Sequence, residues 1–271
     1  MIRLIATDVD GTLLDSQKRV PPAFDALVGE LEERSIRFVI ASGRQYFNLL
    51  KTFPSSAGRL YFICENGAIV FRGHELLYDC PIPDEKLLEA LAAIREIPGA
   101  FPIFCGVKSA YVEDDDPGFR EQASHYYERC RKVDALPDLI GHDRICKIAI
   151  YDANGAEENT WRQVQHFRDR FAVTLAGTQW VDFMRPDVTK GTAMAFLQRE
   201  FGIEPGHCMA FGDYLNDLEL MKSCFHSYAM ANAHPGLAEV CRFRTAKSND
   251  ENGVIETLKT YFADQGAPLA I

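Results

Sequence analysis

Ile2-Arg3-Leu4-Ile5-Ala6-Thr7-Asp8-Val9-Asp10-Gly11-Thr12 joins an apolar run to two carboxylates and a glycine. Ile2, Leu4, Ile5 and Ala6 favour a buried strand, and Gly11 permits a sharp turn where that strand ends. Side chains two apart in an extended chain share a face, separated by roughly 6.6 Å of rise. That spacing lets Asp8 attack an electrophile while Asp10 exchanges a proton with the oxygen that leaves or enters. Two such carboxylates repel, so burying both requires a cation. An Asx turn at the end of a strand accounts for the same letters without chemistry.

Three more polar clusters follow apolar runs. Ile36 to Ala41 reads as a strand, and Ser42 in Ser42-Gly43-Arg44 is placed to cap a helix from Gln45 to Lys51. A hydroxyl and free backbone N–H groups there suit a phosphoryl oxygen, although an ordinary helix cap needs no ligand. Thr189-Lys190-Gly191-Thr192 precedes a helix carrying Ala193, Phe196, Leu197 and Phe201. A cation is disfavoured at a helix start, so Lys190 calls for an anionic partner there; otherwise it is a solvated surface lysine. Gly212-Asp213-Tyr214-Leu215-Asn216-Asp217 follows the run Cys208 to Phe211, and Asp213, Asn216 and Asp217 lie within one helical turn. Three oxygen-bearing side chains so spaced converge on a hard cation or orient the residues that bind it. A capped helix with an acidic first turn is the alternative.

Strands and helices alternate from Ile2 to about Val70, with a helix predicted near Pro22 to Arg34 on Phe24, Leu27, Val28 and Leu31. This order implies right-handed crossovers and a parallel sheet, which gathers ligands at the carboxyl ends of its strands. Ile63 to Val70 holds a strand and the turn Asn66-Gly67, and Phe71 to Tyr78 a hairpin around Arg72-Gly73. Between Pro83 and Arg185 the pattern changes. A helix capped by Asp84 carries Leu87, Leu88, Leu91 and Ile94, and Phe101 to Glu113 reads as a hairpin. A second helix carries Phe119, Ala123, Tyr126 and Cys130, and Ile145 to Tyr151 forms a strand. A third stripe holds Trp161, Val164, Phe167 and Phe171, and Val173 to Met184 pair around Gly177. Asp114-Asp115-Asp116 reads as a solvated turn before Pro117, since three consecutive residues cannot all face one ion. Tyr228 to Ala231 adds a strand, and Val254, Ile255, Leu258, Tyr261 and Phe262 mark a closing helix.

Together, Asp8-Val9-Asp10-Gly11-Thr12, Ser42-Gly43-Arg44, Lys190-Gly191 and Gly212-Asp213 with Asn216-Asp217 resemble the four motifs of the haloacid dehalogenase-like phosphatases, and specifically the Cof-type branch. Glu65-Asn66-Gly67-Ala68 and Ala229-Met230-Ala231-Asn232-Ala233 resemble that branch too, and the likeness covers nearly the whole chain. Asp187 and Ala231 depart from it where glycines are usual, and the customary lysine after Asn232-Ala233 is missing. The resemblance implies an α/β fold with a Rossmann-like doubly wound parallel sheet core and an inserted mixed α/β cap domain: core 1–82 and 187–271, cap 83–186. It implies a Mg²⁺-dependent phosphatase that forms an aspartyl-phosphate. Asp8 is then the nucleophile, and Asp10 the acid and base. Mg²⁺ is held by Asp8, Asp213 and the main-chain carbonyl of Asp10. Ser42, Gly43, Arg44, Asn216 and Lys190 hold the phosphoryl oxygens, with Thr12 and Asp217 in support. A phosphomutase would use the same nucleophile, and a phospho-accepting regulator a similar sheet.

Composition agrees. The chain has 271 residues, 47% of them hydrophobic, and a net charge of -10, enough for a sizeable core and unsuited to nucleic acid or anionic lipid. The expected partner is a small phosphorylated metabolite, a sugar phosphate or a phosphorylated cofactor, bound by a monomer or weak homo-oligomer. Eight cysteines are scattered without a C-x-x-C pair, the pattern of reduced core thiols. Arg3 interrupts the N-terminal apolar stretch and Asp8 ends it, so no secretory or membrane-spanning segment is read there and a cytoplasmic location is expected.

Overall fold

The structure is a computed structural model that describes residues 1–271. Its strands, in chain order, are β1 (Leu4–Thr7), β2 (Arg37–Ala41), β3 (Tyr61–Cys64), β4 (Ile69–Arg72), β5 (Glu75–Asp79), β6 (Ala100–Gly106) and β7 (Ala110–Val112). They continue with β8 (Cys130–Lys132), β9 (Ile145–Asp152), β10 (Ala172–Leu175), β11 (Trp180–Met184), β12 (Cys208–Gly212), β13 (His226–Ala229) and β14 (Phe243–Arg244). The chain divides into two compact units: Met1–Gly43, Leu49–Leu77 and Thr189–Ile271 form the first, and Arg44–Asn48 with Tyr78–Val188 the second.

The first unit is built on a sheet of order β14-β13-β12-β1-β2-β3-β4-β5. Strands β14 through β3 pair in parallel, and β4 runs antiparallel to β3. All four residues of β1 are buried, which is why its run is continuously apolar rather than alternating. The chain leaves β1 on one side for β2 and β3 and returns on the other as β12. The order of the sheet therefore reverses beside β1, the place where open α/β sheets bind ligands. Helix Phe24–Glu33 buries Phe24, Leu27, Val28 and Leu31, a spacing of three and four that keeps one stripe inward and contributes about 1.5–3 kcal/mol per side chain. Helix Lys190–Phe201 opens on a capping box between Thr189 and Thr192 and stops at Gly202, whose φ of 57° places it in the left-handed region.

The second unit has a sheet of order β10-β11-β9-β6-β7-β8. Every residue of β9 is buried, and alternation sorts its side chains onto two covered faces. Ile148 and Ile150 pack with Leu87, Leu91 and Ile94 of helix Asp84–Arg95. Ala149 and Tyr151 pack with Phe119 and Ala123 of helix Pro117–Tyr126. Arg44–Asn48 joins this unit through Gln45, whose side chain donates to Arg129 O at 2.8 Å and accepts from Arg129 N at 3.0 Å.

Several local expectations need correction. The helix after β2 begins at Tyr46, so Ser42 is not its cap. The Ser42 backbone is engaged elsewhere, donating to Ile63 O and accepting from Asn66 N, which prolongs the strand geometry. Pro83, not Asp84, occupies the cap of its helix. The helix of Phe119 and Ala123 ends at Tyr126, and Cys130 opens β8 parallel to β7. The stripe at Trp161 breaks into helix Thr160–Gln163 and a 3₁₀ turn Gln165–Phe167, because Val164 leaves helical geometry. Val164, Phe167 and Phe171 stay buried regardless. In the acidic triplet, Asp116 caps helix Pro117–Tyr126 by accepting from Phe119 N at 2.8 Å, and Asp115 pairs with Lys132.

Candidate active site

Asp8 follows β1, Ser42 follows β2 and Asp213 follows β12, so three neighbouring parallel strands deliver polar side chains to one edge. The Asp8 N–H donates to Phe211 O at 2.9 Å, which continues the β1–β12 pairing by one residue. Strand geometry stops there. Val9 O accepts from both Leu13 N and Leu14 N, and Gly11 has a φ of 79°, so Asp8 and Asp10 are not carried on one extended segment.

Lys190, at the first turn of its helix, is fully buried between two carboxylates. Its Nζ lies 2.5 Å from Asp8 Oδ1 and 2.7 Å from Asp217 Oδ1. Asp217 is itself fully buried, and its Oδ2 accepts from Asp213 N at 3.2 Å and Tyr214 N at 3.3 Å. Asp213 Oδ1 accepts from the Thr12 hydroxyl at 2.9 Å. One carboxylate oxygen from each of Asp8, Asp213 and Asp217 falls within 4.8 Å of the others. Three carboxylates against one ammonium leave 3 − 1 = 2 negative charges among these groups, the charge of one divalent cation, and their donors are the hard oxygens such a cation takes.

Burial pushes the Asp8 carboxyl up to about 8, against the pull of Lys190 and with the push of Asp217. Burial works against the Lys190 ammonium, but Asp217 and Asp8 outweigh it and hold the group above its ordinary range. Burial likewise raises Asp213, although the Thr12 hydrogen bond opposes the rise. Both oxygens of Asp217 are spoken for by Lys190 and backbone N–H groups, which suits it to orienting Lys190.

Asp10 lies outside the carboxylate cluster and pairs through Oδ1 with Lys18 Nζ at 2.6 Å. Ser42 is buried, and Gly43 packs against the Asn66 side chain. Asn66 has a φ of 54°, and its Oδ1 accepts from Asn216 Nδ2 at 3.2 Å, so Asn66 joins two of the sequence clusters. Arg44 belongs to the second unit, where its Nη1 donates to Asn48 Oδ1 at 3.1 Å.

Sequence reasoning passed over Lys18 and Asn249 and gave Asn232 no role. Asn232 Nδ2 donates to Gly11 O at 2.8 Å, and its Oδ1 accepts from Asn249 N at 3.2 Å. Asn249 Nδ2 in turn donates to Leu14 O at 2.9 Å. These amides fix the turn that follows Asp8. Partners more than 200 residues apart leave no local signal.

The sequence profile of one family, described as haloacid dehalogenase-like hydrolase, matches residues 5–258. The chain belongs to that family. Among curated relatives, it is 29% identical to 5-amino-6-(5-phospho-D-ribitylamino)uracil phosphatase of Escherichia coli, over 95% of each chain. It is 28% identical to HMP-PP phosphatase of Serratia proteamaculans, over 88% of this chain and 86% of that one. A solved structure from Streptococcus mutans superposes with a TM-score of 0.84 at 30% identity, over 97% of this chain and all (100%) of the other. No helix of this haloacid dehalogenase-like hydrolase is long and apolar enough to cross a membrane.

Proposed function

We propose that this chain is a Mg²⁺-dependent phosphatase of small phosphomonoesters that works through an aspartyl-phosphate on Asp8. The observation that carries the reading is the constellation of buried Asp8, Lys190 and Asp217 with partly buried Asp213, drawn from three separate sequence clusters. Asp8, Asp213 and the main-chain carbonyl of Asp10 would hold Mg²⁺. When bound, the ion supplies the positive charge that offsets repulsion between carboxylates and a phosphoryl dianion.

Asp8 attacks phosphorus as the ester P–O bond breaks, and Asp10 gives its proton to the departing alkoxide. Water then attacks phosphorus, Asp10 takes back a proton, and the bond to Asp8 breaks to release inorganic phosphate. The Ser42 hydroxyl and the Lys190 ammonium hold the transferring oxygens, with the Gly43 and Asn216 segments beside them; preorganised charge of this kind is the main lever in phosphoryl transfer. Asp217 keeps Lys190 charged and aimed, and Thr12 does the same for Asp213. We read the inserted unit as a cap that selects substrate. The relatives named for a ribitylaminouracil phosphate and for HMP-PP support small phosphorylated metabolites. Eight free cysteines support a reducing cytoplasmic setting.

The test is turnover of p-nitrophenyl phosphate with and without chelator, in the wild type and in Asp8→Asn. Activity should require the metal and vanish in the variant while its circular dichroism is unchanged. Substantial Mg²⁺-dependent release of phosphate by Asp8→Asn would overturn the mechanism. A sugar-phosphate isomer as product, in place of inorganic phosphate, would make the enzyme a mutase.

A further inference from the structure

The direction of the Asp10 carboxyl is set from a loop just downstream of it. Asp10 Oδ1 accepts from Lys18 Nζ at 2.6 Å, and an isolated bridge between Asp10 and Leu14 brings the chain back beside it. The segment that carries Lys18 is closed on itself. Asp15 N donates to Arg19 O at 3.2 Å, and Lys18 N donates to Asp15 O at 2.9 Å. The Asp15 carboxylate accepts from Gln17 N at 2.9 Å and Arg19 N at 2.8 Å through Oδ1, and from Arg19 Nε at 2.7 Å through Oδ2. Two ties from the far end of the chain anchor the loop: Ser16 N donates to Asp250 Oδ1 at 2.7 Å, and Asn249 Nδ2 donates to Leu14 O at 2.9 Å.

Lys18 stands in this loop with a φ of 62°. Glycine takes that conformation freely and asparagine readily, whereas a long side chain there is uncommon. The turn by itself has no need of lysine at position 18, and what lysine adds is its ammonium. The side chain is 61% exposed, so its ion pair with Asp10 adds little to stability. Nor does it balance the buried carboxylates, which have their own cation in Lys190. Its effect is on direction. An ammonium has three donors and no acceptor. The Asp10 oxygen that faces it, Oδ1, is therefore an acceptor, and a proton carried by this carboxyl belongs on Oδ2.

We propose that Lys18 is the positioning residue of Asp10: it holds Oδ1 and so presents Oδ2, with the transferable proton, to the oxygen that leaves phosphorus. The inference rests on the proposed reading of Asp10 as acid and base. In the first step the Oδ2–H bond breaks and the proton passes to the ester oxygen, which keeps the electron pair of the breaking P–O bond, while Asp8 bonds to phosphorus. In the second step Oδ2 takes a proton back from the attacking water. Lys18 gives up no proton in either step.

Single-turnover release of the phenol, with Mg²⁺ present and enzyme in excess over substrate, reads the first step alone. Two substrates of similar shape are compared: p-nitrophenyl phosphate, whose departing oxygen needs little help from a proton, and phenyl phosphate, whose oxygen needs more. A general acid contributes about 10²–10⁴-fold, and a misplacement of about 1 Å costs about 10²-fold. Lys18→Met should slow phenyl phosphate by about 10- to 10²-fold at saturation and p-nitrophenyl phosphate by a smaller factor. The half-saturating concentration and the circular dichroism should stay as in the wild type. Lys18→Arg, which keeps the cation, should recover most of the rate. In an Asp10→Asn background Lys18→Met should cost nothing further, because the group it positions is gone. The same slowing factor for both substrates, or losses that multiply in the double variant, would mark a structural effect only and overturn the proposal. The reading beneath it is judged separately. Asp10→Asn that slows both substrates equally removes Asp10 as the acid, whereas Asp10→Asn that slows phenyl phosphate more, beside a Lys18→Met that does not, removes Lys18 alone.

Discussion

Lys190→Met removes the one buried cation between Asp8 and Asp217 while keeping most of the side-chain volume. In the wild type the ammonium is 2.5 Å from one carboxylate oxygen and 2.7 Å from the other, with all three groups buried. Two unit charges about 4 Å apart attract by about 4 kcal/mol at an effective dielectric of 20, and desolvation offsets part of that. Breaking a buried pair by removing one partner costs about 3–5 kcal/mol, because the remaining charge stays buried and uncompensated. A loss of about 4 kcal/mol is therefore expected, a large share of the 5–15 kcal/mol that typically holds a domain together.

The sign of its pH dependence follows from Asp8. Burial raises this carboxyl from 3.8 to about 8, and a raised group contributes stability that is full below its unfolded value and lost as pH rises through its folded one. The metal-free wild type should thus lose stability between about pH 4 and 8. Removing Lys190 takes away an influence that lowers Asp8, so the substituted chain should go on losing stability above that window. The gap between the two widens with pH. Urea unfolding followed by circular dichroism, with chelator at pH 6 and pH 9, measures it. Lys190→Met/Asp217→Asn should recover part of the stability but none of the turnover. A cost below about 1 kcal/mol at both pH values, or a gap that narrows from pH 6 to 9, would refute the reasoning.

Gly11→Ala would set a Cβ 2.4 Å from Asp213 Oδ2 at a φ of 79°, so a loss of about 1–3 kcal/mol is expected together with weaker Mg²⁺ binding by the apo protein. Calorimetry with an unchanged metal affinity would contradict it. In the second unit, buried Asp152 accepts from Thr160 N at 2.9 Å, Asn154 N at 2.9 Å, Asn159 Nδ2 at 3.2 Å and the Thr160 hydroxyl. Burial pushes this carboxyl up, but those hydrogen bonds outweigh it and leave it below its ordinary value. A lowered group contributes stability that is present above its unfolded value near 3.8 and lost as pH falls through its folded one. Asp152→Asn should accordingly cost about 1–3 kcal/mol at neutral pH, with the difference shrinking in acid; a pH-independent difference in urea midpoints would count against this.

Buried parallel strands announce themselves locally, and this made β1, β2 and β12 readable. Leu4 to Thr7 and Cys208 to Gly212 have no exposed face to pattern, so each is an unbroken run ended by a polar cluster. The breaks were harder. Cys130 continues the helical spacing of Phe119 and Ala123, yet it starts a strand, because pairing of β8 with β7 overrides local preference. Lys190 was legible only as an anomaly, a cation where the helix dipole disfavours one, and its partners Asp8 and Asp217 explain the anomaly.

By itself the sequence determined which residue types stand at the ends of which strands, because burial on both faces and the chemistry of turns act over a few positions. Tertiary structure decided what those residues meet. That Asp217 grips Lys190 and that Asn232 and Asn249 hold the turn after Asp8 depend on how distant segments close upon one another. Charge and hydrogen-bond partnership at such range is set by the packing of the whole sheet, and no local stretch of chain carries it.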